Sequence, residues 1–174
     1  MPMLIRRETR SDLAGVRDVT AAAFGKSEAA VPVEVTLLDE LRTCDAWLPA
    51  LSFVAADDRG DVIGHVVCTR GHVGPDLALG LGPLSVHPTH QRRDLGLATD
   101  GTGSWAQRNA FAESLVALLG SPAYYGRFGF RPAAAYGITA PDPAWGDYFQ
   151  ARPLTAYQPT LKGPFAYAEP FDRV

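Results

Sequence analysis

The sequence has few cysteines, no long hydrophobic run and no excess of basic residues. Only Cys44 and Cys68 are cysteines among 174 residues, too few for a disulfide framework or a zinc site, so we expect no metal and a reducing, cytoplasmic compartment. No apolar run approaches the roughly 20 residues that span a membrane. The start, which is charged by residue 6, lacks the apolar core of an export signal. The net charge of −3 argues against nucleic-acid binding, which needs a basic surface.

The composition predicts one folded domain. Hydrophobic residues make up 47% of the chain, which is typical of a globular protein with a core. We expect a core over residues 1–137 and an irregular C-terminal cap over residues 138–174. Prolines recur in the cap from Pro141 to Pro170, so it should hold only one or two strands, one of them over residues 163–167. A monomer and a homodimer are both compatible with the sequence.

Hydrophobic spacing predicts two helices in the first quarter of the chain. Thr9 and Asp12 resemble a capping box, and a helix should follow from Leu13 to about Phe24. Pro32 can open the second helix, because the N–H that proline lacks would be unpaired there. The apolar stripe of that helix is Val35, Leu38 and Leu41.

A strand meander should follow these helices. Strands are predicted over residues 51–56, 62–68 and 77–86, with the third reached through residues 71–76. Pro83 cannot donate to a ladder, so it marks a bulge or the strand's departure from its neighbour. A helix from Leu95 to about Asn109 then leads to a strand over 115–119, which should lie parallel to strand 77–86. Ser121 and Pro122 open a short helix.

The strand over residues 77–86 leads through a turn and a basic loop into the helix that starts at Leu95. A helix N-terminus offers unpaired N–H groups and a favourable dipole to a phosphate. His87 and His90 lie three apart in the turn, but no acidic or cysteine residue is at ligand spacing. We therefore interpret these two histidines as turn residues.

Two motifs carry a resemblance to a known family. Gln91-x-x-Asp94-x-Gly96, followed by Ala98, resembles the Gln/Arg-x-x-Gly-x-Gly/Ala signature of the GNAT superfamily of acyl-CoA-dependent N-acetyltransferases. Residues 120–130, which include the run Pro-x-Tyr-Tyr-x-Arg-Phe-Gly-Phe, resemble the later Tyr-x-x-x-Gly-Phe motif in its small bacterial members. The resemblance covers most of the chain, from Leu4 to the region of Phe171.

The resemblance implies a mixed α/β fold with a central, mostly antiparallel sheet, a splayed pair of parallel strands and helices on both faces. It also implies acetyl-CoA as the cofactor. The backbone of Leu84, Ser85 and Val86 would pair with the pantetheine arm, which enters between the splayed strands. The diphosphate would lie on the loop and helix start formed by Gln91, Arg92, Arg93, Asp94, Leu95, Gly96, Leu97 and Ala98.

The implied reaction is acetyl transfer to a primary amine of a small molecule or peptide. By the resemblance, Tyr125 matches the tyrosine that protonates the departing sulfur, and a phenol with a pKa near 10 can donate to a thiolate whose acid has a pKa of about 8.5. The sequence leaves the base open among Glu34, Glu40, His65, His72 and a water chain. A lone histidine in a strand is usually packed or hydrogen-bonded, and we expect the same of His65.

One residue departs from the family pattern. Asp94 stands where the family normally has glycine, and a carboxylate near a phosphate weakens cofactor binding. The first alternative function is therefore a degenerate GNAT-fold module that binds CoA without transfer. A nucleotide-binding protein is the second alternative, and the missing Gly-x-x-x-x-Gly-Lys sequence argues against it.

Overall fold

The computed structural model describes residues 4–25, 31–91 and 113–173. The first described elements are β1 (Leu4–Arg7), α1 (Leu13–Phe24), α2 (Val33–Thr43), β2 (Trp47–Ala56), β3 (Val62–Val73) and β4 (Asp76–Val86). They are followed by β5 (Leu115–Leu119), α3 (Pro122–Tyr125), β6 (Arg131–Pro132), β7 (Ile138–Thr139), β8 (Phe149–Pro153) and β9 (Gly163–Ala166). The predicted helix from Leu95 to Asn109 lies outside the described residues. No described helix has both the length and the apolar character needed to cross a membrane.

The strands form one mixed sheet in the order β1-β2-β3-β4-β5-β8-β6, with β9 pairing with β3 and β7 pairing with β9. Its neighbours are mainly antiparallel, while β4 and β5 run parallel. This confirms the predicted fold class. Helices α1 and α2 pack on one face, where Val16 and Leu38 meet Val54 and Val67.

The two predicted helices are confirmed at their predicted positions. The Asp12 carboxylate accepts a hydrogen bond from the Thr9 N–H at 2.7 Å and two from the Arg6 guanidinium at 2.7 and 2.9 Å. The Arg6 hydrogen bonds, aided by those from Thr9, hold the pKa of Asp12 well below its usual value. In α2, the stripe Val35, Leu38 and Leu41 is buried as predicted.

The strands of the meander are longer than predicted. β3 runs on to Val73, and its pairing with β4 continues to the pair Val73–Asp76 across a tight turn in which Gly74 has φ +56. β9 also pairs with His72 and Val73. The expectation of a connection over residues 71–76 was therefore wrong, because pairing on both edges keeps residues 71–73 extended.

β4 and β5 separate after a short paired stretch. They pair only at Leu79–Val116 and Gly80–Ala117. On its other edge, β4 shifts register between the pairs Cys68–Leu81 and Val66–Leu84, so Gly82 and Pro83 form the bulge that was predicted at Pro83. A gap between two parallel strands opens at this bulge.

The C-terminal segment is more regular than predicted. Three strands follow Tyr136 rather than one or two, and β8 lies inside the main sheet between β5 and β6. Phe149 and Ala151 of β8 are buried with Leu115 and Ala117 of β5. The prolines permit this because Pro153 ends β8 instead of interrupting it.

Candidate functional site

A cavity of about 990 Å³ occupies the gap between β4 and β5. Its lining includes Leu81 and Leu118 from the core on one face of the sheet, and Phe165 from the core on the opposite face. The cavity therefore passes through the sheet. A ligand in the gap can therefore contact residues of both faces.

The β4 edge of this gap presents backbone hydrogen-bonding groups. The His87 N–H donates to the Ile63 carbonyl of β3 at 2.9 Å. Backbone groups point to alternate edges along a strand, so those of Leu84 and Val86 point away from β3 and into the gap. An extended ligand can pair with this edge as an added strand would.

Ser85 and Gln91 are placed differently from the residues that face the gap. The backbone of Ser85 points toward His65 of β3, and its buried hydroxyl donates to Thr20 Oγ1 of α1 at 3.3 Å. The Gln91 side chain donates to the Val86 carbonyl at 3.0 Å, which ties the loop to the end of β4. Arg92, Arg93, Asp94, Leu95, Gly96, Leu97 and Ala98 lie outside the described residues.

Tyr125, at the end of α3, forms a first wall of the cavity with Leu81 and Leu118. Its ring packs edge-on against Phe130 and Tyr124, with centroids 5.8 and 4.8 Å apart. Burial, with a smaller contribution from Tyr124, raises the pKa of Tyr125 to about 12. The phenol therefore stays protonated throughout the physiological range, and its O–H can donate a hydrogen bond to a ligand in the cavity.

The end of α1 and the start of α2 form a second wall, with Phe24, Val33, Glu34 and Leu37. Of the four side chains considered as a base, only Glu34 lines the cavity. Glu40 lies 3.3 Å from Arg173 in an ion pair. His72 lies in the β3 ladder opposite Leu77 and Ala166.

His65 is fully buried on the face covered by α1 and α2, away from the cavity lining. Its Nε2 lies 2.9 Å from Ser52 Oγ, and the Ser52 hydroxyl donates to Glu8 Oε2 at 3.1 Å. A hydroxyl has a single hydrogen, so Ser52 accepts from His65 Nε2–H. His65 is therefore the packed, hydrogen-bonded histidine that its strand position indicated.

The C-terminal segment forms a third wall, whose individual side chains the sequence did not identify. Its lining side chains are Trp145, Phe165, Tyr167, Phe171 and Asp172. The aromatic rings pack against one another, with centroids 4.9 Å apart for Phe165–Tyr167 and 4.8 Å for Tyr167–Phe171. Glycines on the sheet make room for them. A Cβ added at Gly80 would lie 2.6 Å from Tyr167 Cδ1, and one at Gly71 would lie 2.8 Å from Phe165 Cζ.

His87 caps a single 3-10 turn over Pro88–His90, and His90 is the last residue of that turn. The Thr89 hydroxyl lies 2.9 Å from the Nδ1 atom of each histidine. The turn interpretation is confirmed.

Two uncharacterized N-acetyltransferases of Escherichia coli are similar to this chain in sequence. YhbS is 36% identical over 156 residues, which cover 87% of each protein. YjhQ is 34% identical over 169 residues, which cover 92% of this chain and 90% of YjhQ. A comparison with sequence profiles of protein families gives no match.

Two solved structures share the fold over nearly the whole chain. The GNAT family N-acetyltransferase YhbS of Escherichia coli, in complex with CoA, has a TM-score of 0.83 and 32% identity, with 98% of this chain and 92% of YhbS covered. A GNAT family acetyltransferase from Brucella melitensis, in complex with acetyl-CoA, has a TM-score of 0.74 and 33% identity, with 98% and 99% covered.

Proposed function

Because this chain belongs to the GNAT family of N-acetyltransferases, we propose that it transfers acetyl from acetyl-CoA to a primary amine of a small molecule or peptide. The observation that carries the proposal is the cavity through the sheet, which lets a thioester and an amine approach one another from opposite faces. Two similar enzymes crystallised with CoA and acetyl-CoA support the choice of cofactor.

The gap-facing edge of β4 fits the pantetheine arm. The backbone groups of Leu84 and the N–H of Val86 would pair with its amides, since the Val86 carbonyl already accepts from Gln91. An N–H close to the thioester oxygen would stabilise the charge that develops there. The diphosphate would bind to the N–H groups of residues 93–98 and to Arg92 or Arg93. These loop residues are assigned from the sequence motif.

Tyr125 would donate a hydrogen bond to the departing sulfur. Burial raises the pKa of Tyr125 to about 12, so the phenol is protonated and its O–H can donate as charge develops on the sulfur. This hydrogen bond would strengthen as that charge develops. Solvent would then supply the proton that the thiolate takes up.

Transfer would be direct, without an acyl-enzyme. A thioester-forming cysteine must be reactive and close to the acetyl group. Cys68 is buried in the core, where burial raises the pKa of its thiol, and neither Cys44 nor Cys68 lines the cavity. The ammonium would therefore lose a proton to solvent, and the resulting amine nitrogen would attack the thioester carbon itself. The C–S bond would then break, the nitrogen would lose a second proton to solvent, and the thiolate would leave and be protonated.

The second candidate is a GNAT-fold module that holds CoA without transfer, and Asp94 is the residue that favours it. Calorimetric titration with acetyl-CoA, paired with thiol release over a panel of amines, separates the two candidates. The enzyme proposal expects both binding and amine-dependent thiol release. Binding without release on any amine would favour the module, and the absence of binding would contradict both.

A further inference from the structure

The acceptor end of the cavity carries negative charge. We define this end by the second and third walls: the end of α1, the start of α2 and the C-terminal aromatic segment. Its charged side chains are Glu34, which is partly buried, and Asp172 at the exposed rim. No lysine, arginine or histidine is found among the described residues that line the cavity. A positively charged ligand is therefore favoured there and an anionic one disfavoured.

The rest of this end is apolar, and much of it is aromatic. Phe24, Trp145, Phe165, Tyr167 and Phe171 contribute rings. Val33 and Leu119 also line the cavity with 58% and 47% of their surface exposed. Such surface favours a ligand that covers it with an apolar body, and aromatic rings additionally favour an adjacent cation.

We propose that the acceptor is a primary amine on a compact apolar or aromatic body without a carboxylate. This proposal rests on the proposed acetyl transfer. Its ammonium would bind to the Glu34 carboxylate and its body would pack against the aromatic wall. Arylalkylamines have this chemistry, as does a peptide N-terminus with an apolar first side chain. Free amino acids and extended polyamines do not.

Phenethylamine and phenylalanine test the proposal because they differ only by one carboxylate. Acetyl transfer is measured as thiol release with phenethylamine, phenylalanine, phenylalanine amide and spermidine. We expect kcat/KM for phenethylamine and phenylalanine amide to exceed that for phenylalanine and spermidine by at least tenfold. Equal or better use of phenylalanine or spermidine would overturn the proposal.

Glu34→Gln tests the partner of the ammonium. We expect its KM for phenethylamine to rise about tenfold, as for the loss of one charge-assisted hydrogen bond, with KM for acetyl-CoA within twofold of the parent value. Asp58→Asn removes an equal charge from the exposed turn between β2 and β3 and should change neither constant. An unchanged KM for phenethylamine in Glu34→Gln would overturn the role of Glu34.

A binding measurement separates this proposal from the proposed function. Phenethylamine is titrated calorimetrically into the protein saturated with CoA, where no transfer can occur. Binding that is weakened in Glu34→Gln supports the acceptor class even if no amine is acetylated, in which case only the transfer activity fails. Failure of phenethylamine to bind, while spermidine or phenylalanine binds, would overturn the acceptor class and leave acetyl transfer standing.

Discussion

Gly120 lies directly against the ring of Tyr125. A Cβ added at Gly120 would lie 2.9 Å from Cδ2 of that ring and closer still to Cε2. The Gly120 backbone is itself fixed, because its N–H donates to the Tyr148 carbonyl at 2.9 Å and its carbonyl accepts from Gln150 Nε2 at 2.9 Å. The glycine therefore sets the position of Tyr125 in the cavity.

Gly120→Ala should displace Tyr125 and lower kcat by about tenfold, equivalent to about 1.4 kcal/mol of transition-state stabilisation. Steady-state kinetics with a competent amine provide the measurement. Gly126→Ala is the matched control, since Gly126 has a helical φ of −57 and open space around its Cβ position. If both variants keep the parent kcat, Gly120 does not position Tyr125.

Tyr125→Phe should lower kcat by about tenfold or more and change the Kd for acetyl-CoA by less than twofold. The ring and its packing are retained, so only the hydrogen bond to the developing thiolate is lost. Kinetics and calorimetric titration of the same preparation give both quantities. An unaltered kcat would remove Tyr125 from the reaction.

The pH dependence of this variant reports the protonation of the phenol. Because burial raises the pKa of Tyr125 to about 12, the ratio of parent to variant kcat should stay constant from pH 7 to 10. A phenol with the ordinary pKa of about 10 would be half ionised at pH 10, and the ratio would fall by about half. Such a fall would show that burial does not raise the pKa of this phenol.

His65 should make stability depend on pH below neutrality. Burial lowers its pKa to about 4, while the unfolded chain has a value of about 6.5. Between these values the unfolded state binds more protons, so the free energy of unfolding falls as pH falls. The expected loss is about 2 kcal/mol between pH 7 and pH 5.

Chemical denaturation of the parent and His65→Gln at pH 7 and pH 5 tests this. The other histidines are common to both proteins, so the difference between their pH dependences isolates His65. Asp12 does not confound the comparison, since its depressed pKa makes its contribution disappear only below about pH 4. If both proteins lose the same free energy of unfolding between pH 7 and pH 5, a group other than His65 causes the loss.

Local sequence signals predicted much of the fold and one side of the cavity. The stripe Val35, Leu38 and Leu41 and the missing N–H of Pro83 act within one element, so α2 and the β4 bulge could be read directly. Tyr125 was found through a motif. Each of these features depends on residues that are neighbours along the chain.

The side chains of the third wall could not be predicted in this way. Tyr167 packs against Gly80, which lies 87 positions earlier in the sequence. No spacing rule links two residues so far apart. An isolated glycine within a strand can signal close backbone approach. Gly71 and Gly80 lie within β3 and β4, but Gly71 was predicted to lie in the connection, and no packing contact was predicted for either glycine. Which ring fills each space depends on β8 and β9 joining the sheet, and the prolines of this segment obscured that.

Asp94 should weaken the binding of the cofactor. A carboxylate about 4 Å from a phosphate opposes it by about 4 kcal/mol at an effective dielectric of 20, and by about 1 kcal/mol or less in water. Asp94→Gly should therefore tighten acetyl-CoA binding at least fivefold at low salt, and the gain should shrink as added salt screens the charges.

Asp94→Asn removes the charge without adding the backbone freedom of glycine. If charge is the cause, the asparagine variant gains nearly as much affinity as the glycine variant, and the gain of both depends on salt. Calorimetric titration at 20 mM and about 500 mM salt measures this. An affinity that is unchanged or weaker in both variants would mean that Asp94 does not oppose the diphosphate.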